Sequence, residues 1–415
     1  MTELTLPMPL GASPPLANDA QHWSGFADTQ PAPANTLAIA FTGSGSEYFR
    51  IWIVNLLLTL VTLGIYYPWA KVRRLRYFHG NTLVGGKPLG FHADPKKMLK
   101  GYLLVGVLLA LYSVAGNFHA VAGLVAFVVV MLIWPALLKS SMQFRLANTS
   151  WRGLRFRFTG DLRGAYAAML PLFVPALCLL AAGTFVPDQE QPPLWYVYVT
   201  GSVMVGLLLV SPWLLQRLKA YQHNNYALAS QHTRFRATVG MFYKLFAEVL
   251  VVYLAISVVL GVVVAVAMFV GIAVLGLSGN PLAQALDGKF SWLIVAAVFG
   301  FIALMLLFVS LIKPYVVTRL QNLVWNQTQS EDIRIHSRLK ARAMVWLSIK
   351  NWFLVVFTVG LYWPFAAIAR ARLQLEAVGI ESQINLDALV SHAHSHEGEA
   401  AGDAAGDLFG LDIGF

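Results

Sequence analysis

Seven stretches of the chain contain no Asp, Glu, Lys or Arg: 51–70, 101–138, 164–187, 191–216, 249–286, 290–312 and 351–369. Each is apolar continuously, not at alternate positions. A helix crossing a ~30 Å hydrocarbon core needs about 20 such residues. Continuous apolarity therefore predicts helices, and argues against the alternating strands of an outer-membrane barrel. The run 101–138 is long enough for two crossings, and the pattern predicts three helical pairs near 101–138, 164–215 and 245–315. The expected fold class is an all-α polytopic membrane protein: six transmembrane helices, plus first and last apolar segments that either re-enter or span, eight membrane segments in all.

Between the apolar runs the period changes. Pro68 is followed thirteen residues later by Asn81-Thr82, and Pro135 by Asn148-Thr149. Pro212 leads at the same distance to Asn225-Tyr226, and Pro314 to Gln327-Thr328. The intervening residues mix basic and apolar side chains, as expected of a helix leaving the membrane and lying on its surface. Short alternating signals then follow at Leu89/Phe91, Phe156/Phe158, Phe235 and Ile333/Ile335, flanked by Ile39/Phe41 before the array and Ile384/Leu386 after it. Period-two patterning between Gly, Asn and Asp predicts short strands or hairpins. Strands this short need neighbours, so a shared β layer on the cytoplasmic side is expected.

Composition changes the picture little, because 57% of residues are hydrophobic and only 12% charged, about half the usual charged share of a soluble domain. The net charge of +10 acquires its meaning from position: 25 of the 30 Lys and Arg residues lie in 71–100, 139–163, 216–244 and 313–343. The positive-inside rule places those four loops in the cytoplasm. This accounts for the basic balance without nucleic acid, and the expected partners are the bilayer and anionic lipid at the basic loops. The single cysteine, Cys178, excludes an intrachain disulfide. Residues 1–36 are expected to form a disordered tail, 37–387 the membrane domain of repeated units, and 388–415 a His-rich and acidic disordered tail.

The first and last apolar runs share a second motif. Asn55, Thr62, Gly64, Tyr66 and Pro68 recur with identical spacing as Asn351, Thr358, Gly360, Tyr362 and Pro364. As plain spans the two copies would cross in opposite directions. As re-entrant segments they would share one geometry, with both chain ends in the cytoplasm, and Gly and Pro supply the break. The alternative is eight plain spans with both ends outside. The ten residues are the candidate substrate-binding set, because paired discontinuous segments at the two ends of a membrane chain point to a site; Thr59 adds a further polar group.

The string GSEYFRIWIVNLLLTLVTLGIYYPWAKVRRLRYFHGNT and its later copy NWFLVVFTVGLYWPFAAIARARL resemble the hallmark segments of the bacterial inner-membrane YjgN-like family, over about residues 37–387. The resemblance implies a multi-pass protein of the bacterial inner membrane and supplies no reaction, substrate or cofactor.

No HExxH, P-loop, GxSxG or paired-Cys motif occurs, so no cofactor or catalytic residue is expected and an enzyme is disfavoured. His392, His394 and His396 have the spacing of a weak metal site, more simply read as a solvated tail. Glu248, four residues after Lys244, is either a proton-coupling acid or a partner of that lysine. Two functional readings follow: a transporter or channel with a polar site framed by the paired segments, or a non-catalytic membrane organiser with a basic cytoplasmic platform.

Overall fold

The computed structural model describes residues 35–186, 191–275, 291–385 and 390. Five units follow one another, each made of a strand, two helices and a returning strand. The first is β1 (Asn35–Phe41), α1 (Gly45–Val61), α2 (Tyr67–Gly80) and β2 (Thr82–Val84). The second is β3 (Lys87–Phe91), α3 (Pro95–Phe118), α4 (Ala120–Ala147) and β4 (Thr149–Trp151). The third is β5 (Leu154–Phe158), α5 (Leu162–Gly183), α6 (Leu194–His223) and β6 (Tyr226–Leu228). The fourth starts on a stave broken at Thr233 into β7 (Gln231–His232) and β8 (Arg234–Phe235); it continues through α7 (Val239–Leu275) and α8 (Ser291–Asn326) to β9 (Thr328–Gln329). The fifth is β10 (Ile333–Ser337), α9 (Ala341–Phe357), α10 (Trp363–Leu375) and β11 (Val378–Ser382).

All eleven strands belong to one sheet, ordered β7-β6-β5-β4-β3-β2-β1-β11-β10-β9-β8, with every pairing antiparallel. Its two ends, β7 and β8, are halves of the same stave, so the sheet closes into a barrel. Closure removes the exposed edges that would otherwise pair with other chains. The expected shared β layer is present, and all-α is too narrow a description of the fold. The last strand also differs from expectation. It is Val378–Ser382, where Val378 and Ile380 alternate with Gly379 and Glu381; Leu386 lies outside the described residues.

Register follows from the alternation. Leu37 faces Ile380, Ile39 faces Val84, Leu89 faces Trp151 and Phe156 faces Leu228, apolar against apolar on the inner face. Two-residue turns join the first three units. Gly85 (φ +56°) and Gly86 (φ +76°) link β2 to β3, and Arg152 (φ +51°) and Gly153 (φ +87°) link β4 to β5. Both residues of such a turn take positive φ because that twist matches the strands.

The junction between helix and strand is built five times. The carbonyls of Asn81, Asn148, Asn225, Gln327 and Ala377 accept the backbone N–H of Thr42, His92, Thr159, Arg236 and Arg338 at 2.8–2.9 Å, tying each unit's exit to its return. Each accepting residue stands thirteen after a proline, the fifth pair being Pro364 and Ala377. Asn81, Asn148 and Asn225 also donate from the side chain to the carbonyl four residues earlier. A separate helix follows the proline at the first and last copies, and none does at the three between. Pro135, Pro212 and Pro314 sit inside continuous helices, and Pro68 and Pro364 in the first turns of α2 and α10. In the three middle units the basic segments are therefore the barrel-side ends of helices that also carry the apolar runs.

Between odd strand and helix the chain is tightly packed. A Cβ on Gly160 would lie 2.6 Å from the Phe158 ring and 2.9 Å from the Tyr221 hydroxyl. Gly160→Val is expected to cost about 1–3 kcal/mol by overpacking, read as a lowered melting temperature in detergent, with Gly160→Ala milder.

Each helix packs chiefly on its neighbours in the chain, and α1 closes the circle on α10. Among the described residues five helices, α3 to α6 and Val239–Val266 of α7, are long and apolar enough to cross a membrane. The expected sixth, α8, has most of its apolar half outside the residues whose side chains are described. The most apolar windows of α6 and α7 have no buried residue at all. Apolar side chains left uncovered by neighbouring helices have lipid as their natural neighbour.

Candidate functional site

The two repeated motifs form matching helical hairpins. In the first, α1 and α2 pack together around a turn at Thr62–Tyr66. The Thr62 hydroxyl donates to the Leu58 carbonyl (2.7 Å) and accepts the Tyr66 N–H (3.0 Å), bridging the end of one helix and the start of the next. Thr358 repeats this with Leu354 (2.7 Å) and Tyr362 (3.0 Å). The backbone N–H of Gly64 donates to Thr59 at 2.8 Å, and that of Gly360 to Val355 at 2.7 Å. These are the bonds of a Schellman ending. Gly64 and Gly360 adopt φ of +92° and +90°, which favours glycine. Pro68 and Pro364 open the returning helices, where a missing N–H costs nothing.

Asn55 and Asn351 clamp the arms. Each is buried, and its amide donates across the hairpin, to Ala70 at 3.4 Å and to Ala366 at 3.5 Å. Both Oδ1 atoms are buried without a partner among the described residues. Thr59 donates to the Asn55 carbonyl. The hairpins lie side by side. Phe49 meets Phe365 with ring centroids 5.9 Å apart, Tyr48 and Ile368 share a buried cluster, and Arg372 donates to the Gly43 carbonyl at 3.0 Å. The structure thus brings the two motifs together, and the ten residues use much of their hydrogen-bonding capacity within their own hairpins.

The hairpin tips are apolar and uncovered: Leu63 is 93% exposed and Val359 91%. Both sit at positive φ, +49° and +51°, a conformation costly for a β-branched residue.

A separate cavity lies inside the barrel, and none of the ten motif residues lines it. It holds about 660 Å³ and is walled by inward residues of the strands, Leu37, Ile39, Val84, Phe156, Ile335 and Ile380 among them. At one end it meets α2, α8 and α10 through Phe78, His79, Trp325 and Leu375. No Asp, Glu, Lys or Arg lines it among the described residues. Burial holds His79 below its ordinary pKa, with the Leu75 carbonyl opposing in part, and burial pushes the Tyr226 hydroxyl up to about 12. Both groups are therefore neutral at physiological pH. The outer face differs in character: Arg155, Arg157, Arg234 and Arg334 point outward at alternate positions. The strand signals made the alternation legible beforehand. That its apolar face encloses a space was not legible, because closure depends on β1 pairing with β11 from the far end of the chain.

Glu248 pairs with Arg319 of α8 at 3.5 Å, which corrects the expected pairing with Lys244. The helix beside it supplies the better-placed cation. His392, His394 and His396 lie outside the described residues, and no cluster of metal-ligating residues occurs among those described.

Residues 36–408 match a family described as bacterial protein of unknown function (DUF898). The inner membrane protein YjgN of Salmonella typhimurium strain LT2 is 26% identical over 349 residues, covering 80% of this chain and 85% of the relative. The protein of the same name in Escherichia coli K12 is 26% identical over 177 residues, covering 42% of this chain and 43% of the relative. No solved structure matches. With apolar helices in several units and a match reaching from the first strand into the C-terminal region, the chain is a multi-pass bacterial inner-membrane protein and belongs to the DUF898 family.

Proposed function

We propose that this protein is a non-enzymatic membrane organiser that holds a closed β-barrel at the cytoplasmic face of the inner membrane. The observation behind this reading is that both ends of every helical excursion return to one sheet, while the long helices, packed on their chain neighbours, are apolar and bury few of their residues. Helices of that kind anchor a protein well and offer water little along their length. In this reading α3 to α8 are six spans, and the two short hairpins re-enter. Arms of 17 and 14 residues in the first hairpin are short for a full crossing, and the exposed Leu63 and Val359 tips suit lipid. Lys and Arg concentrate at the barrel end, which makes that end cytoplasmic. Arg73 and Arg74 of α2, with Arg370 of α10, then meet anionic headgroups, each worth about 1 kcal/mol. The membrane domain spans 37–387, flanked by the tails 1–36 and 388–415.

A second reading, a transporter with its substrate at the paired motifs, has one observation in its favour. Asn55 and Asn351 each bury an unpartnered amide oxygen, an unusual cost that a ligand or water would offset. Reconstitution into liposomes tests the two readings. The organiser predicts no flux of ions, sugars or amino acids above protein-free liposomes. Flux that disappears in Asn55→Leu and Asn351→Leu, with melting unchanged, would overturn it in favour of transport.

A further inference from the structure

We propose that the barrel lumen binds one long, unbranched aliphatic chain, the acyl tail of a lipid or of a free fatty acid. This inference concerns the barrel alone and stands whether the helices conduct a solute or merely anchor.

The lumen has room for such a chain: it holds about 660 Å³, within the roughly 300–1,000 Å³ of small-molecule sites. Small barrels of about eight strands are either filled by their own side chains or hold a single ligand. Here the broken stave makes ten staves of the eleven strands, and the Leu, Ile and Val side chains of the wall, with Trp151, Phe156, Tyr226 and Trp325, leave the centre open. An apolar void of this kind costs stability in proportion to its size, so an occupant stabilises the barrel.

Water needs polar partners, and several polar groups bordering the lumen are already engaged. The Ser330 hydroxyl donates to Gln231 at 2.6 Å, and the Gln231 amide donates to Asp332 at 2.9 Å. Gln321 donates to the Gln374 carbonyl at 2.9 Å, and Thr233 to the His223 carbonyl at 2.6 Å. With no formal charge on the wall and His79 held neutral, the site selects for an apolar body. The wall also accepts an aliphatic group from the chain itself, since Val390 packs against the cluster of Val84 and Trp151.

The inner end of the lumen is formed by Phe78, Trp325 and Leu375, on the barrel-side ends of α2, α8 and α10; the rest of α8 is apolar, and α2 and α10 follow the apolar tips at Leu63 and Val359. A chain entering the lumen therefore starts beside the bilayer, where acyl tails are the abundant linear apolar groups.

The test uses the purified, delipidated full chain in detergent. Parinaric acid, a fluorescent polyene fatty acid, is titrated in one arm and a phospholipid carrying the same polyene tail in the other. Saturable binding with energy transfer from tryptophan is expected in at least one arm, and the arm that binds identifies the source of the tail. Ile335→Trp fills the lumen and is expected to weaken binding by roughly ten-fold or more while the protein still melts cooperatively. Should Ile335→Trp fail to fold, a second readout replaces it. A fatty acid brominated along its chain quenches Trp151 and Trp325, and the quench shrinks in Trp325→Phe. No saturable binding in either arm would overturn the proposal. So would full affinity in folded Ile335→Trp, or quenching unchanged by Trp325→Phe.

Discussion

Trp151→Ala is expected to destabilise the protein by about 3–5 kcal/mol, the usual cost of truncating a buried tryptophan. Trp151 is 4% exposed on β4, opposite Leu89 of β3. Its indole N–H donates to the carbonyl of Val84 at 3.1 Å, reaching past β3 to β2. The Arg152 guanidinium lies 4.7 Å from its ring centre. One side chain thus ties three staves and walls the lumen. Truncation enlarges a space that is already open, and nothing nearby fills it. The buried carbonyl of Val84 also loses its indole donor. Trp151→Phe keeps most of the apolar area and loses the hydrogen bond, so it should cost about 1–2 kcal/mol. Urea or thermal unfolding in detergent, followed by near-ultraviolet circular dichroism, separates the two. Equal melting of Trp151→Ala and the unmodified protein would contradict this account of the barrel wall.

The second large effect is expected at the hairpin tips. Leu63→Asp and Val359→Asp each place a carboxylate where the re-entrant reading has hydrocarbon. On insertion scales a charge at membrane depth costs about 2.5–3.5 kcal/mol, and the double substitution should roughly double that. Loss of membrane-integrated, folded protein is the expected outcome, measured by fluorescence-detected size exclusion after mild solubilisation. Pro88→Asp, on the exposed face of β3, is the control and should behave like the parent. Val359→Gly acts in the opposite sense: it relieves a β-branched residue at φ +51° and should stabilise by up to about 1 kcal/mol. If both Asp variants integrate normally, the tips stand in water and the hairpins do not enter the bilayer.

The helices were legible because each apolar run is continuous and many residues long, so local composition suffices. The repeat was legible through Pro68, Pro135, Pro212 and Pro314 with the Asn or Gln thirteen residues on. The fifth copy was hidden because Ala377 replaces the amide side chain, while its carbonyl still accepts the Arg338 N–H at 2.9 Å. The strands were harder to read. Several have only two or three residues, too few for period two to stand out, and they gain stability from neighbours distant in sequence. The paired motifs read correctly as breaks in helices. Their Asn and Thr side chains, read from spacing as polar groups facing a solute, largely bond to Ala70, Ala366, Leu58 and Leu354. Spacing alone does not distinguish an amide that clamps a turn from one that faces a ligand.

The five units return to one barrel closed by β1 against β11. Thr36 and Glu381 are partners across that seam, Thr36 exposed and Glu381 half-buried on its outer face. Directly opposed antiparallel residues stand at a Cα separation a disulfide can bridge. In a Cys178→Ser background, Thr36→Cys with Glu381→Cys should oxidise to a looped chain of altered electrophoretic mobility, reversed by dithiothreitol. Thr36→Cys paired instead with a cysteine at Pro88, on a stave not adjacent to β1, should stay reduced. Efficient crosslinking of the first pair alone supports the closed barrel; failure of the first pair to crosslink in folded protein would contradict it.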